Sequence, residues 1–135
     1  MNTKRWIIAS LVVFVVSQAY EFLVHGVMLR SAYEATKHLW RPDMESMMWI
    51  MFAIGFITSF PFVYIFAKGY EGKGIMEGLR FGFVVGVMTA IPMAYGTYAM
   101  IAIPYHMALS WFIAGLTECM LLGVVAALVY KPKTA

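Results

Sequence analysis

The sequence predicts an all-α, polytopic membrane protein: four transmembrane helices in an antiparallel bundle, with both termini cytoplasmic. Composition is the first observation behind this. Apolar residues make up 62% of the 135 residues, charged residues 13%, and mean hydropathy is +0.77. A water-soluble domain averages roughly 45–50% apolar and about 25% charged, so a soluble globule is excluded. Disorder and a disulfide scaffold are excluded too, since apolar content is high and Cys119 is the only cysteine. The second observation is four apolar stretches, at about 6–29, 47–67, 79–103 and 106–130. Each exceeds the ~20 residues that cross ~30 Å of hydrocarbon. The third is that runs such as Ile7 to Val16 and Leu121 to Val129 lack the alternation of a β-barrel. At this length the whole chain, 1–135, reads as a single transmembrane domain.

Taken in order, Lys4 and Arg5, an apolar run and Ser17-Gln18-Ala19 imitate a secretory signal peptide. The apolar pattern resumes from Phe22 to Leu29, which predicts an uncleaved first helix. The connection 30–46 is the longest extramembrane segment. Ser31 is expected to cap a short interfacial helix through Leu39, with Trp40 in the interfacial belt and Arg41-Pro42-Asp43 as its stop; the alternative is a docking surface for a partner. Lys68-Gly69-Tyr70-Glu71-Gly72-Lys73-Gly74 lacks the ending of a phosphate loop and reads as a flexible hairpin. Ile103-Pro104-Tyr105 forms the last, very short turn. Lys4, Arg5, Lys68, Lys73, Arg80, Lys131 and Lys133 fall on one side and Arg30, Lys37 and Arg41 on the other, seven against three. That bias places the termini in the cytoplasm and the 30–46 loop outside. It also accounts for a pI near 9.1 without a nucleic-acid partner.

Ionisable groups inside a span are costly in hydrocarbon and are the first functional candidates. Glu21 and His25 lie four residues apart on one face of the first helix, which Ser10, Ser17 and Met28 extend into an inward-looking polar stripe. Glu118 lies about 12 residues, or ~18 Å, into the last helix. No basic residue accompanies it there, which points to a partner on another helix or another chain. These three residues are either a buried polar tether between helices, a proton or cation path, or a contact to a neighbouring subunit.

His25, His38 and His106 all fall on the outer side, with Met44, Met47, Met48 and Met51 stacked at helical spacing and Met100 and Met107 nearby. Imidazole and thioether suit copper or haem, but no tight ligand spacing exists. The methionine stripe reads as helix packing, and no cofactor or metal is expected.

Gly78, Gly82, Gly86, Ala90 and Ala94 recur every four residues, a small-residue ridge that lets another backbone approach closely. Whether that backbone belongs to the same chain is open. Gly55-x-x-Thr58-x-x-Pro61-x-x-Tyr64 reappears as Gly86-x-x-Thr89-x-x-Pro92-x-x-Tyr95, and the outer helices echo it weakly as Glu21-x4-Gly26 and Glu118-x4-Gly123. Pro61 and Pro92 are expected to kink their helices and to free the carbonyls of Ile57 and Met88, which the threonines or waters would satisfy. Such midplane breaks suit transporter hinges as well as shared packing constraints.

Glu21-Phe22-Leu23-Val24-His25-Gly26, Leu39-Trp40-Arg41-Pro42 and Trp111-Phe112-Ile113 resemble motifs of an uncharacterised family of small bacterial four-helix integral membrane proteins. The resemblance implies the fold and a bacterial inner-membrane location, and no activity. No catalytic constellation is present. The leading expectation is therefore a non-catalytic accessory or structural subunit of a larger membrane complex, with lipid and other membrane subunits or further copies of itself as partners. The alternative is a small proton- or cation-coupled transporter using Glu21, His25 and Glu118; the third is an outward-facing copper or haem site.

Overall fold

A computed structural model describes residues 1–132; Lys133, one of the seven charges on the termini side, lies outside the described residues. The described chain is all-helical, with no strand. Helix α1 spans Thr3–Glu21, α2 Arg30–Ala35, α3 Trp49–Lys68, α4 Ile75–Met100 and α5 Tyr105–Val129. Four helical stretches are long and apolar enough to cross a membrane: Thr3–Met28, Met44–Lys68, Ile75–Met100 and Tyr105–Val129. The third begins before the expected position 79. Gly74, at φ 69, opens it, and its first turn carries Glu77, which lies ahead of the expected start.

The ridge on α4 seats against α5. Gly78 faces the backbone of Gly123, Gly82 that of Cys119, Gly86 meets Leu116, and Ala90 meets Gly115. Numbers rise along α4 as they fall along α5. A Cβ at Gly82 would collide with the Cys119 carbonyl, and one at Gly123 with the Gly78 carbonyl. The partner of the ridge is therefore in the same chain. α5 reciprocates with Gly115 and Gly123, so the two backbones reach a separation that only glycine allows.

The rest of the bundle is built on α1, which packs on both α3 and α5. α1 is joined to α5 where Tyr20 Oη donates to the Ala114 carbonyl at 3.0 Å and lies 2.6 Å from Thr117 Oγ1. Trp6 Nε1 donates to the Phe60 carbonyl at 3.1 Å, which joins α1 to α3. The backbone N–H of Asn2 lies 3.3 Å from Tyr130 Oη, so the described ends meet at one end of the bundle, the termini end. Here Ala9, Val13, Val63, Phe66, Leu122, Ala126, Ala127 and Tyr130 form an apolar core. Phe81 closes it against Phe62 and Phe66, with ring centroids 4.9 and 5.4 Å apart. α3 and α4 are consecutive yet share little surface away from this aromatic contact.

The 69–74 hairpin is ordered by Glu77, a residue with no signal in the sequence pattern. Glu77 is buried, and its carboxylate accepts from the backbone N–H of Glu71 at 2.6 Å and of Lys73 at 2.8 Å. Charge-assisted bonds of this kind contribute about 1.5–3 kcal/mol. Glu77→Ala is expected to destabilise the chain by about that amount in a thermal unfolding series in detergent, whereas Glu71→Ala, whose carboxylate pairs with exposed Lys73, changes it by less than about 1 kcal/mol.

Several expectations about local structure are corrected. Helix α2 begins at Arg30 with Leu29 at its cap, and Ser31 is already inside it. After Thr36 a 3₁₀ turn, Lys37–Leu39, replaces a continuous helix, because Thr36 Oγ1 bonds back to the Ala32 carbonyl and also receives Trp40 Nε1. Trp40 packs on Tyr33 and Trp111. The 30–40 segment is thus folded over the end of the bundle opposite the termini, on Ala94, Ile103, Met107, Ala108 and Trp111. Of the methionine stripe, Met44, Met48 and Met51 are exposed and Met47 is half-buried. Pro61 and Pro92 lie inside α3 and α4, at positions where a bend is expected. Thr58 and Thr89 hydrogen-bond the carbonyls of Ile54 and Val85, not those the prolines free.

Candidate functional site: a carboxyl–imidazole chain

The polar stripe of α1 is held in place by a change of helix type. Directly after Glu21 the backbone widens into a π-helix, Phe22–Met28, closed by Leu29 N–H to the Val24 carbonyl at 2.8 Å. π turns are rare and concentrate at functional sites. Before the widening, Ser10 is buried and Ser17 faces inward. The wider turn rotates the residues beyond it, so Met28, expected on the same stripe, is 67% exposed.

Along this face Glu21, His25 and Glu118 are brought together. His25 Nε2 stands 3.6 Å from Glu21 Oε2. Glu118, from α5, meets Glu21 and Ser17 from α1. The partner of Glu118 is thus a second carboxyl group on another helix. The Glu21 side chain is 37% exposed, so the pair spans from the loop end of α1 into the bundle.

The chain continues toward the folded-over loop through residues that sequence reasoning missed. Trp111 Nε1 donates to Tyr33 Oη at 2.9 Å, and Tyr33 Oη lies 2.5 Å from His25 Nδ1. An indole N–H can only donate, so Tyr33 Oη accepts from Trp111 while it hydrogen-bonds His25 Nδ1. Trp111 belongs to one of the family-like motifs, but its partner on the 30–46 loop leaves no periodic signal.

Burial of the Tyr33 phenol pushes its pKa from 10.0 up to about 12; the bond from Trp111 works against this and the nearby charge of Glu21 adds to it. A phenol whose folded pKa is raised contributes stability that is complete below about pH 10 and lost as pH rises to about 12. The absorbance at 295 nm of the parent minus that of Tyr33→Phe is expected to show its phenolate step near pH 12. A step near pH 10 would place Tyr33 in water.

Beyond Glu118, α1, α3, α4 and α5 enclose a half-open cavity of about 260 Å³. Its polar lining is Ser17, Thr58, Ser59, Thr89, Glu118 and Cys119; Val13, Phe62, Val85 and Leu122 supply apolar walls. The repeated Gly-Thr-Pro-Tyr pattern thus places its two threonines on one cavity. On the termini side the cavity ends at the apolar core and the Phe62–Phe81 contact. The result is a polar chain, Tyr33–His25–Glu21–Glu118, leading from the loop end to a cavity with apolar groups on its termini side and the exposed Thr58 and Thr89 where α3 and α4 stand apart.

His38 and His106 stay exposed and apart from this network. Among the described residues no three His, Cys, Asp or Glu side chains gather as a metal-binding set. Cys119 adjoins Thr89, Sγ to Oγ1 3.8 Å. In comparisons with protein-family models, curated proteins and solved structures, nothing matches this chain.

Proposed function

We propose that this chain is a small integral membrane protein that conducts protons through the middle of its bundle. In this reading the four helices cross a bacterial inner membrane as an antiparallel bundle with the termini in the cytoplasm. The opposed numbering of α4 and α5 and the bias of Lys and Arg toward the termini end support that orientation. The resemblance to small bacterial four-helix membrane proteins is kept as part of the same proposal.

One observation carries the reading: Glu118, Glu21 and His25, from two helices, form one contact chain that ends in a polar chamber. A tether needs two groups; a chain of protonatable groups with a chamber at its end is what proton transfer needs. Protons would enter by His25 and Glu21, both partly exposed near the loop end, and rest on the Glu21–Glu118 pair. Passage to the other side requires the Phe62–Phe81 contact to part. The shortage of contact between α3 and α4 away from that contact makes these two helices the ones that move.

The test is proton flux into vesicles holding the purified chain and a trapped pH-sensitive dye, driven by an imposed potential. The parent is expected to acidify the lumen well above empty vesicles, and Glu118→Gln to abolish the difference while eluting as the parent does on size exclusion. Parent vesicles no faster than empty ones would overturn the reading.

The accessory-subunit reading rests on another observation: α3 belongs to the least buried of the four apolar stretches. A further helix from a partner would cover it. The glycine ridge no longer bears on that question, since α5 of the same chain fills it. Native mass after gentle detergent extraction separates the two readings, through the presence or absence of a second polypeptide.

A further inference from the structure

The hydroxyl groups around the chamber have already committed their protons. Thr58 Oγ1 donates to the Ile54 carbonyl at 2.7 Å, Ser59 Oγ to that of Phe56 at 2.8 Å, and Thr89 Oγ1 to that of Val85 at 2.9 Å. Ser17, on α1, lies beside Glu118. In helices such back-bonding leaves only oxygen lone pairs facing outward. The chamber thus offers acceptors from three helices and one carboxyl group, and none of its lining residues is basic. The hydroxyls of Thr58, Ser59 and Thr89 offer an anion no donor. A ligand with several N–H donors and a positive charge would satisfy them all at once, and a short carbon chain on it would meet Val13, Phe62, Val85 and Leu122.

We propose that the chamber is a binding site for a small primary alkylammonium ion, which takes the place of the proton on Glu118. This deepens the proton-path reading, resting on its geometry, by naming the class of cation that exchanges with the proton. The exchange balances simply. The ammonium group binds ionised Glu118 and the hydroxyl oxygens; the displaced proton leaves through Glu21 and His25 to the solvent at the loop end. The titratable groups near Glu118 are Glu21 and, behind it, His25 on α1, and Cys119 on α5 itself; α3 and α4 face it at the chamber with hydroxyl and apolar groups alone. At ~30 Å³ per water the chamber holds the equivalent of roughly nine waters, so the carbon chain must be short.

Propylammonium is the probe, titrated into the purified chain in detergent by calorimetry, with proton release followed in weak buffer. Saturable binding is expected, with up to one proton released per ion and affinity rising by up to tenfold per pH unit while Glu118 is protonated. Propionate, of similar size and opposite charge, is expected not to bind. Glu118→Gln should weaken binding more than tenfold, and Thr58→Val or Thr89→Val by about three- to tenfold each. If Glu118→Gln does not fold, the pH slope and the two valine variants decide. Absence of saturable binding, equal binding of propionate, sodium binding in place of propylammonium, or affinity independent of pH would each overturn the proposal. Proton flux in vesicles is scored separately. Flux without propylammonium binding sinks the site and leaves the path standing; binding with proton release but no flux keeps the site and sinks the path.

Discussion

Gly82→Leu is expected to prevent α4 and α5 from closing and to be the most damaging single substitution in the bundle. The Gly82 position faces backbone, the Cys119 carbonyl and Met120 Cα, rather than a side chain that could swing aside. Relief would require the helices to part, and parting them would open the neighbouring contacts at Gly78–Gly123 and Gly86–Leu116. Overpacking costs about 1–3 kcal/mol where side chains can adjust; here it should reach at least about 3 kcal/mol. Gly96 supplies the control, being on the same helix with nothing within 4 Å of a Cβ. Gly96→Leu should leave the unfolding temperature in detergent nearly unchanged, while Gly82→Leu should lower it sharply or leave no folded fraction on size exclusion. Equal tolerance at both positions would mean that the two backbones do not approach this closely.

The contrast between these two glycines marks what could be read in advance. A four-residue recurrence of small residues is a surface property of one helix, so the ridge from Gly78 to Ala94 is legible without knowing its partner, and so is the shared face of Glu21 and His25. What a single helix cannot encode is the identity of the group across from it. Glu118 shows no ligand in its own helix, and only the packing of α1 on α5 supplies a carboxyl group instead of a cation. Tyr33 and Trp111 are 78 residues apart and belong to segments of different period. Their bond depends on the loop folding over the bundle end, which Thr36 directs by drawing in Trp40. The π-helix from Phe22 to Met28 has no sequence signature, and it alone removes Met28 from a stripe that a uniform 100° per residue would continue. Thr58 and Thr89 were visible as a repeat; their common chamber depends on α3 and α4 standing apart.

Glu21→Gln and Glu118→Gln together test whether the two carboxyl groups act as a unit. If a proton is shared between them, removing either acid breaks the same transfer step. Each single variant should then lower proton flux by about 100-fold or more, the usual scale for deleting a positioned acid or base. Independent sites would multiply these losses to about 10⁴-fold in the double variant. Groups that carry one step between them are grossly non-additive, so the double variant should be scarcely worse than either single one. Stability should behave in the opposite sense to flux. A Gln amide can still hydrogen-bond the remaining carboxyl and removes the need to hold a proton there, so each single variant should melt at or above the parent temperature. Purely structural tethers would give the reverse pattern, with melting temperature lost and no coupling in flux. Measuring both quantities on the same four proteins therefore separates a conducting pair from a structural one, because only a conducting pair loses transfer while keeping its fold.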